Sequence, residues 1–244
     1  MIPVGEETTQ DGDKSMAIVT GAARGLGFHL VSELTARGFR TVCVVRNPSD
    51  AVRLRELGDM ARPVVGDVTD GAVGRSVARE AGDGAVGLLI HNAGVGHPPR
   101  RLRELAVDDV LDSFVTHCLG PLRLTQALLP ALRRSPCATV VHVSSRWGSF
   151  ATAAEDYGSG GKHYAYRIGK AAQNMMSLCL RQELAGLGIR VVAVHPGALR
   201  TAMGAPDAQD TPSTAATDLV RLLLTDPQEG LPPFMARAGD PHPW

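Results

Sequence analysis

The sequence predicts an α/β fold built on a doubly wound parallel sheet, and three observations carry that reading. Short apolar runs free of polar alternation recur along the chain, as strands buried on both faces of a parallel sheet require. Longer amphipathic stretches alternate with them, which is the order of a layered α/β domain. The first run leads directly into Thr20-Gly21-Ala22-Ala23-Arg24-Gly25-Leu26-Gly27, a glycine-rich turn that opens the first helix. At 244 residues the chain has room for one such domain. Residues 1–15 read as a flexible polar arm and 16–244 as the domain.

In chain order, Met16–Val19 is the first strand and Leu26–Arg37 the first helix. Thr41–Val45 pairs with Val52–Met60, and Pro63–Val64 with Ala72–Ala81. Val86–Ile90 precedes a long helical stretch, Val107–Leu132, and Thr139–Val143 precedes another, Tyr166–Leu187. Ile189–Val194 is a further strand. The stretches 148–162 and 204–213 are irregular. Sheets of this kind bind ligands beyond the carboxyl ends of their strands, so motifs at those ends matter most.

Composition excludes several functions. With 44% hydrophobic and 20% charged residues the chain is globular. Lys plus Arg is 25 and Asp plus Glu is 25, so no net positive field exists to hold nucleic acid. No apolar run approaches the ~20 residues of a membrane span, and the acidic N-terminus lacks the pattern of a signal peptide. A cytoplasmic protein without nucleic-acid or membrane partners is expected. Cys43, Cys118, Cys137 and Cys179 lie far apart, without the spacing of a zinc, redox or disulfide framework. No metal site is expected. Three Lys among 25 basic residues fits a high-GC, bacterial origin.

The glycine turn has the strand–turn–helix context of a dinucleotide-binding motif. Backbone N–H groups there can approach a pyrophosphate, and the helix N-terminus favours its charge. Gly21, Arg24, Gly25, Leu26 and Gly27 are the expected contacts. The second strand ends Val45-Arg46-Asn47, with no carboxylate before Asp50. An acidic residue at that point would bond a ribose 2′-hydroxyl, whereas Arg46 and Arg24 suit a 2′-phosphate. NADP(H) is therefore expected over NAD(H). Asp67 and Val68 after the third strand, and Asn92-Ala93-Gly94 after the fourth, are further expected cofactor contacts.

The reactive cluster is Tyr166 with Lys170. Four residues apart, both project from one helix face. Lys170 is expected to lower the phenol pKa from ~10 toward neutrality, making Tyr166 an acid for a carbonyl oxygen and a base in reverse. Ser144 and Ser145 end the strand before, and a hydroxyl there can bond the oxygen on which charge develops. The sequence around them lacks the G-x-S-x-G elbow of a serine hydrolase.

Thr20–Gly27, Asn92-Ala93-Gly94, Ser145, Tyr166-x-x-x-Lys170 and Pro196-Gly197 together resemble the short-chain dehydrogenase/reductase family. Ser144–Ser149, Tyr164–Arg167, His195-Pro196-Gly197 with Thr201 and Met203, and the terminal Pro243-Trp244 narrow the likeness to C-factor and sniffer-like carbonyl reductases. The resemblance spans residues 16–244. It implies a Rossmann fold of about seven strands and catalysis by Ser145, Tyr166 and Lys170. Lys170 would also hold nicotinamide ribose hydroxyls, and Pro196, Gly197, Leu199 and Thr201 would run beside the nicotinamide. It also implies association through the long helices, as a homodimer or homotetramer.

Three departures stand out, one being the 21 positions between Ser145 and Tyr166, an insertion that the narrower subgroup shares. His117 replaces an Asn that in the family helps hold a water linked to the lysine, and Gly169 replaces the usual Ser before it. His117 can relay protons, slow turnover or simply be a satisfied core residue. Trp147, Phe150, His97, Tyr157, Met203 and the segment 204–213 are candidate substrate-pocket walls, with Ser145 and Tyr166 at the pocket floor. The expected activity is hydride transfer from NADPH to an aldehyde or ketone, reversible as alcohol oxidation. An NADP(H)-binding signalling protein with little turnover, and a redox-neutral epimerase or dehydratase, are the alternatives.

Overall fold

A computed structural model describes residues 16–155, 163–204, 207–224 and 230–244. The arm 1–15 and Tyr157 lie outside the described residues. Seven parallel strands form one sheet in the order β3-β2-β1-β4-β5-β6-β7. They are β1 (Met16–Thr20), β2 (Thr41–Val45), β3 (Ala61–Val65), β4 (Val86–His91), β5 (Thr139–Val143), β6 (Arg190–His195) and β7 (Phe234–Ala236). The strand order reverses between β1 and β4, and the crevice at that switch is where such sheets take ligands.

Alternate residues of each strand feed opposite layers. Ala17 and Val19 join a core with Leu30, Leu34 and Leu219, from α1 (Gly25–Ala36) and α8 (Pro212–Leu223). Met16 and Ile18 join the other core, with Val77 of α3 (Gly71–Ala81), Leu124 and Leu128 of α5 (Gly120–Leu132) and Met176 and Leu180 of α7 (Tyr164–Leu184). Burial on both faces explains why the runs read as continuous apolar segments.

The differences from the sequence reading are local. The second helix, α2 (Pro48–Arg55), starts and ends four to five residues earlier than the apolar pattern indicated. Pro48 at its start needs no N–H donor and brings a helical φ with it. The strand β7 and the helix α8 were not resolved from the sequence. β7 has only three residues, and α8 begins where Thr211 caps Thr214 N at 3.1 Å, inside the stretch read as irregular. A short helix, α6 (Phe150–Glu155), likewise lies within the stretch 148–162.

The stretch 107–132 is helical throughout, but as α4 (Val107–Phe114), a π-helical turn (Val115–Leu119) and α5. Pro121 has no N–H to offer the His117 carbonyl four residues back. Gly120 N instead bonds Val115 O, five residues back. The widened turn carries His117, and π turns of this kind recur at functional sites.

Candidate active site

A cleft of about 1000 Å³ lies beyond the strand ends at the switch point, at the top of the usual range for ligand sites. Gly21, Arg24, Gly25, Leu26, Gly27, Arg46, Asp67, Val68, Asn92, Ala93 and Gly94 line one side. His117, Tyr166, Lys170, Pro196, Gly197, Leu199, Thr201 and Met203 complete it. The fold thus brings nearly all the sequence-predicted site residues to one place.

The glycine turn is built for close approach. Gly21 has φ +66°, and a Cβ on it would sit 2.8 Å from Ala93 Cα. Thr20 Oγ1 accepts from Asn92 N and Ala93 N, each at 3.0 Å. Asn92 Nδ2 in turn donates to Thr20 O at 3.0 Å and Gly21 O at 3.2 Å. The Asn92 amide nitrogen is therefore spent on stitching the turn to β4, while the residue still lines the cleft. No side chain caps the start of α1 and no acidic residue stands in its first turn. Its end keeps its attraction for an anion.

Arg24 and Arg46 are exposed at the rim, and neither forms an ion pair among the described residues. Asp67 is partly committed, because its Oδ1 accepts from Thr69 N at 2.8 Å and Thr69 Oγ1 at 2.7 Å. The segment after β6 is held by the Leu199–Asp210 bridge and by Arg237 on Asp210 at 2.7 Å. Met203 ends that segment against Gly94 and Gly96.

On the reactive side, β5 ends in two serines with different fates. Ser144 is buried and its Oγ donates to Asn174 Oδ1 at 2.5 Å. Ser145 Oγ accepts from Trp147 N at 3.2 Å and bonds the Tyr166 hydroxyl. Ser144 is among the residues that line the cleft, and Ser145 is not. Lys170 is buried, and its Nζ lies 5.7 Å from the Tyr166 ring centroid. Nζ donates to Val143 O at 2.7 Å and to Gln173 Oε1 at 3.0 Å.

The expected lowering of the phenol pKa is absent from this arrangement. Burial pushes Tyr166 above the ordinary phenol value, and the Ser145 bond pulls only partly the other way. Lys170 itself is pushed down to about 7 by burial.

His117 is fully buried. Val95 N donates to its Nε2 at 3.3 Å, so that nitrogen is the acceptor. The ring proton therefore sits on Nδ1 and is donated to Ser113 Oγ, 3.1 Å away. Burial first, and the Lys170 charge second, push the imidazole down to about 2. Of the readings open in the sequence, this geometry matches the satisfied core histidine. A Cβ on Gly169 would run into Ser113 Oγ and come within 3.0 Å of His117 Nδ1. The departures at His117 and Gly169 are thus one packing arrangement.

Trp147 does not line the main cleft. The turn Arg146–Gly148 lays its ring against His163 at 4.5 Å and edge-on to Tyr166 at 6.0 Å. Phe150 is exposed and stands away from the cleft. His97 does line it, bracketed by Asp109 at 3.5 Å and Asp112 at 3.2 Å. Sequence reasoning missed Ser113, Gln173, Asn174 and Ser177. The last three continue from Lys170 at helical spacing, a polar row that the periodicity displayed. It also missed His142, which stacks on His91 at 4.9 Å across β4 and β5.

No helix among the described residues is long and apolar enough to cross a membrane. No cluster of metal-ligating residues occurs among them.

A family profile described as short chain dehydrogenase matches residues 15–212. C-signal of Myxococcus xanthus is 39% identical over 150 residues, 62% of this chain and 85% of that protein. The 3-oxoacyl-[acyl-carrier-protein] reductase of Salmonella typhimurium is 30% identical over 191 residues, 77% of this chain and 75% of that protein. Among solved structures, NADPH-bound carbonyl reductase from chicken fatty liver superposes with a TM-score of 0.83 at 26% identity. The match covers 95% of this chain and all of the other. A Burkholderia multivorans short-chain dehydrogenase/reductase with bound NADP gives 0.82 at 26% identity, with the same coverage.

Proposed function

The chain belongs to the short chain dehydrogenase family, and from that premise we propose that it is an NADP(H)-dependent reductase of aldehydes or ketones, reversible as an alcohol dehydrogenase. One observation carries the reading. The Tyr166 hydroxyl, bonded to Ser145, stands on the floor of a cleft that begins at a glycine turn and contains a buried lysine one helical turn away.

The residues present fit a dinucleotide with a 2′-phosphate. Gly21 leaves the backbone bare beside Ala93, the start of α1 is uncapped, and Arg24 and Arg46 are two guanidinium groups at the rim without ion-pair partners among the described residues. Bound there, the nicotinamide would supply the hydride. This chain's own residues do the rest. Ser145 donates a hydrogen bond to the carbonyl oxygen, and Tyr166 gives it a proton. A phenol pKa held high keeps Tyr166 protonated at neutral pH, the form that reduction needs. Lys170 offers its ammonium to the ribose hydroxyls. His117 acts by anchoring Val95 and the loop after β4 rather than by passing protons.

The likeness to C-signal favours a second reading, an NADP(H)-binding signalling protein with little turnover. Fluorescence titration with NADPH and NADH tests the first. NADPH is expected to bind about tenfold or more tighter than NADH, and Arg24→Ala or Arg46→Ala to remove about a factor of ten of that preference. Equal affinity for the two nucleotides overturns the 2′-phosphate site. Binding of NADPH with no turnover across a carbonyl panel favours the signalling reading.

A further inference from the structure

The buried face of α7 holds a polar row of which the proposed reaction uses one member. Lys170, Gln173, Asn174 and Ser177 are all buried and recur at helical spacing. Two of the three hydrogens on Lys170 Nζ are accounted for, by Val143 O at 2.7 Å and Gln173 Oε1 at 3.0 Å. An ammonium only donates, so the amide must present its oxygen. Gln173 Nε2 is buried and has no partner among the described residues.

That imbalance is informative. A buried amide with an unpaired N–H end is unfavourable, and a methionine of similar volume would fill the same space without it. The oxygen end is what the site uses.

The surroundings give Lys170 little other help. From its own helix it meets the Tyr166 ring, and from the π turn it feels His117. From β5 it feels His142, with His91 of β4 stacked behind. His142 Nδ1 donates to Ser177 Oγ at 2.9 Å, because Ser177 spends its own hydrogen on Gln173 O at 2.7 Å. The turn after β5 contributes the Gly148 backbone at Lys170, while its Arg146 acts on His195 and His242. Arg167 lies over Trp147. No carboxylate pairs with Lys170 among the described residues. Its ammonium thus rests on two neutral carbonyl oxygens in place of water.

We propose that Gln173 is a positioning residue for Lys170: its amide oxygen holds the lysine in the ammonium form and leaves the third N–H for the cleft. The role of that N–H rests on the reading of Lys170 given above. Gln173→Met removes one of two acceptors, so the neutral amine gains and Lys170 titrates lower. Gln173→Glu returns an acceptor whether its carboxyl is ionised or protonated, so the titration comes back to the native value or above it.

The test is NMR titration of the cofactor-free full chain labelled at lysine Cε. The sequence has only Lys14, Lys162 and Lys170, and Lys14→Arg and Lys162→Arg variants assign the third signal. The native Lys170 signal is expected near neutrality, where burial places it at about 7. Gln173→Met should move it down by about one pH unit with folding stability kept or raised, and Gln173→Glu should restore it. A midpoint unchanged within about 0.3 unit in Gln173→Met overturns the proposal, as does a loss of thermal stability without any shift. If Gln173→Met fails to fold, Gln173→Leu carries the same expectation. NADPH titration of the native chain separates the two ideas. Failure to bind defeats the reductase reading, while the lysine shift stands or falls by itself.

Discussion

The two walls of the cleft are built on opposite principles. The wall from β1 to β4 works by leaving atoms out. Gly21 approaches Ala93, the start of α1 is uncapped, and the side chains of Thr20 and Asn92 are used up in bracing the turn. The wall from β5 and α7 works by filling space with polar groups that bond one another: Ser144 to Asn174, Lys170 to Gln173, His142 to Ser177. The first is damaged by adding atoms and the second by removing them. A backbone cradle suits a large anion that supplies its own charge, whereas proton transfer needs side chains held in one protonation state.

The sharpest way to break this contrast is Tyr166→Phe. It removes one oxygen from the filled wall, and turnover is expected to fall by about 10³-fold. NADPH affinity should stay within a small factor, because the cradle is untouched. Stopped-flow turnover and fluorescence titration on the same preparation check both halves. Comparable losses in both would mean that the walls are not separable.

The next effect concerns protons. His91, His117 and His142 are buried and neutral, with His117 pushed down to about 2 and His142 to about 3. Folded pKa values below the unfolded ~6.5 mean that the unfolded chain binds more protons. The stability they contribute is complete above about pH 6.5 and declines as the pH falls below it. Between pH 7 and 5.5 the three together should cost about 4 kcal/mol, read from urea unfolding at each pH. A flat profile would show that all three take up their protons in the folded state, and a cost smaller by about a third that one of them does. The glycine turn Thr20–Gly27 has no histidine and should contribute nothing over that window.

The smallest expected effect is on the first wall. Gly21→Ala places a methyl 2.8 Å from Ala93 Cα at a positive φ. NADPH affinity should weaken by about 10- to 100-fold, from a cost of about 1–3 kcal/mol. Calorimetric titration measures it, and native-like affinity would mean that the loop yields without consequence.

Much of this was legible beforehand. The glycine turn, Tyr166 with Lys170, and the strand ends were readable because each is a local pattern with one structural context. The boundaries of β2 and β5 match the apolar runs to the residue. Asn92 lines the cleft as expected, but its second task of tying β4 to the glycine turn was not legible, because those partners lie 71 and 72 residues away in the chain. The direction of the Tyr166 shift was read wrongly for a related reason. Helical spacing gives the closeness of Lys170, but not that its ammonium is turned toward Val143 and Gln173 in a buried site.

By itself, then, the sequence determined the layered α/β fold, the place of the cleft and the chemistry of the residues delivered to it. Periodicity and turn chemistry are local, and a parallel sheet converts them into position through its topology. The tertiary structure decided which atoms are spent and which remain available. It paired Ser144 with Asn174, fixed the tautomer of His117, and made Gly169 the companion of that histidine. Those outcomes depend on burial and on partners distant in the chain. Protonation and hydrogen-bond supply are properties of a packed environment, not of spacing.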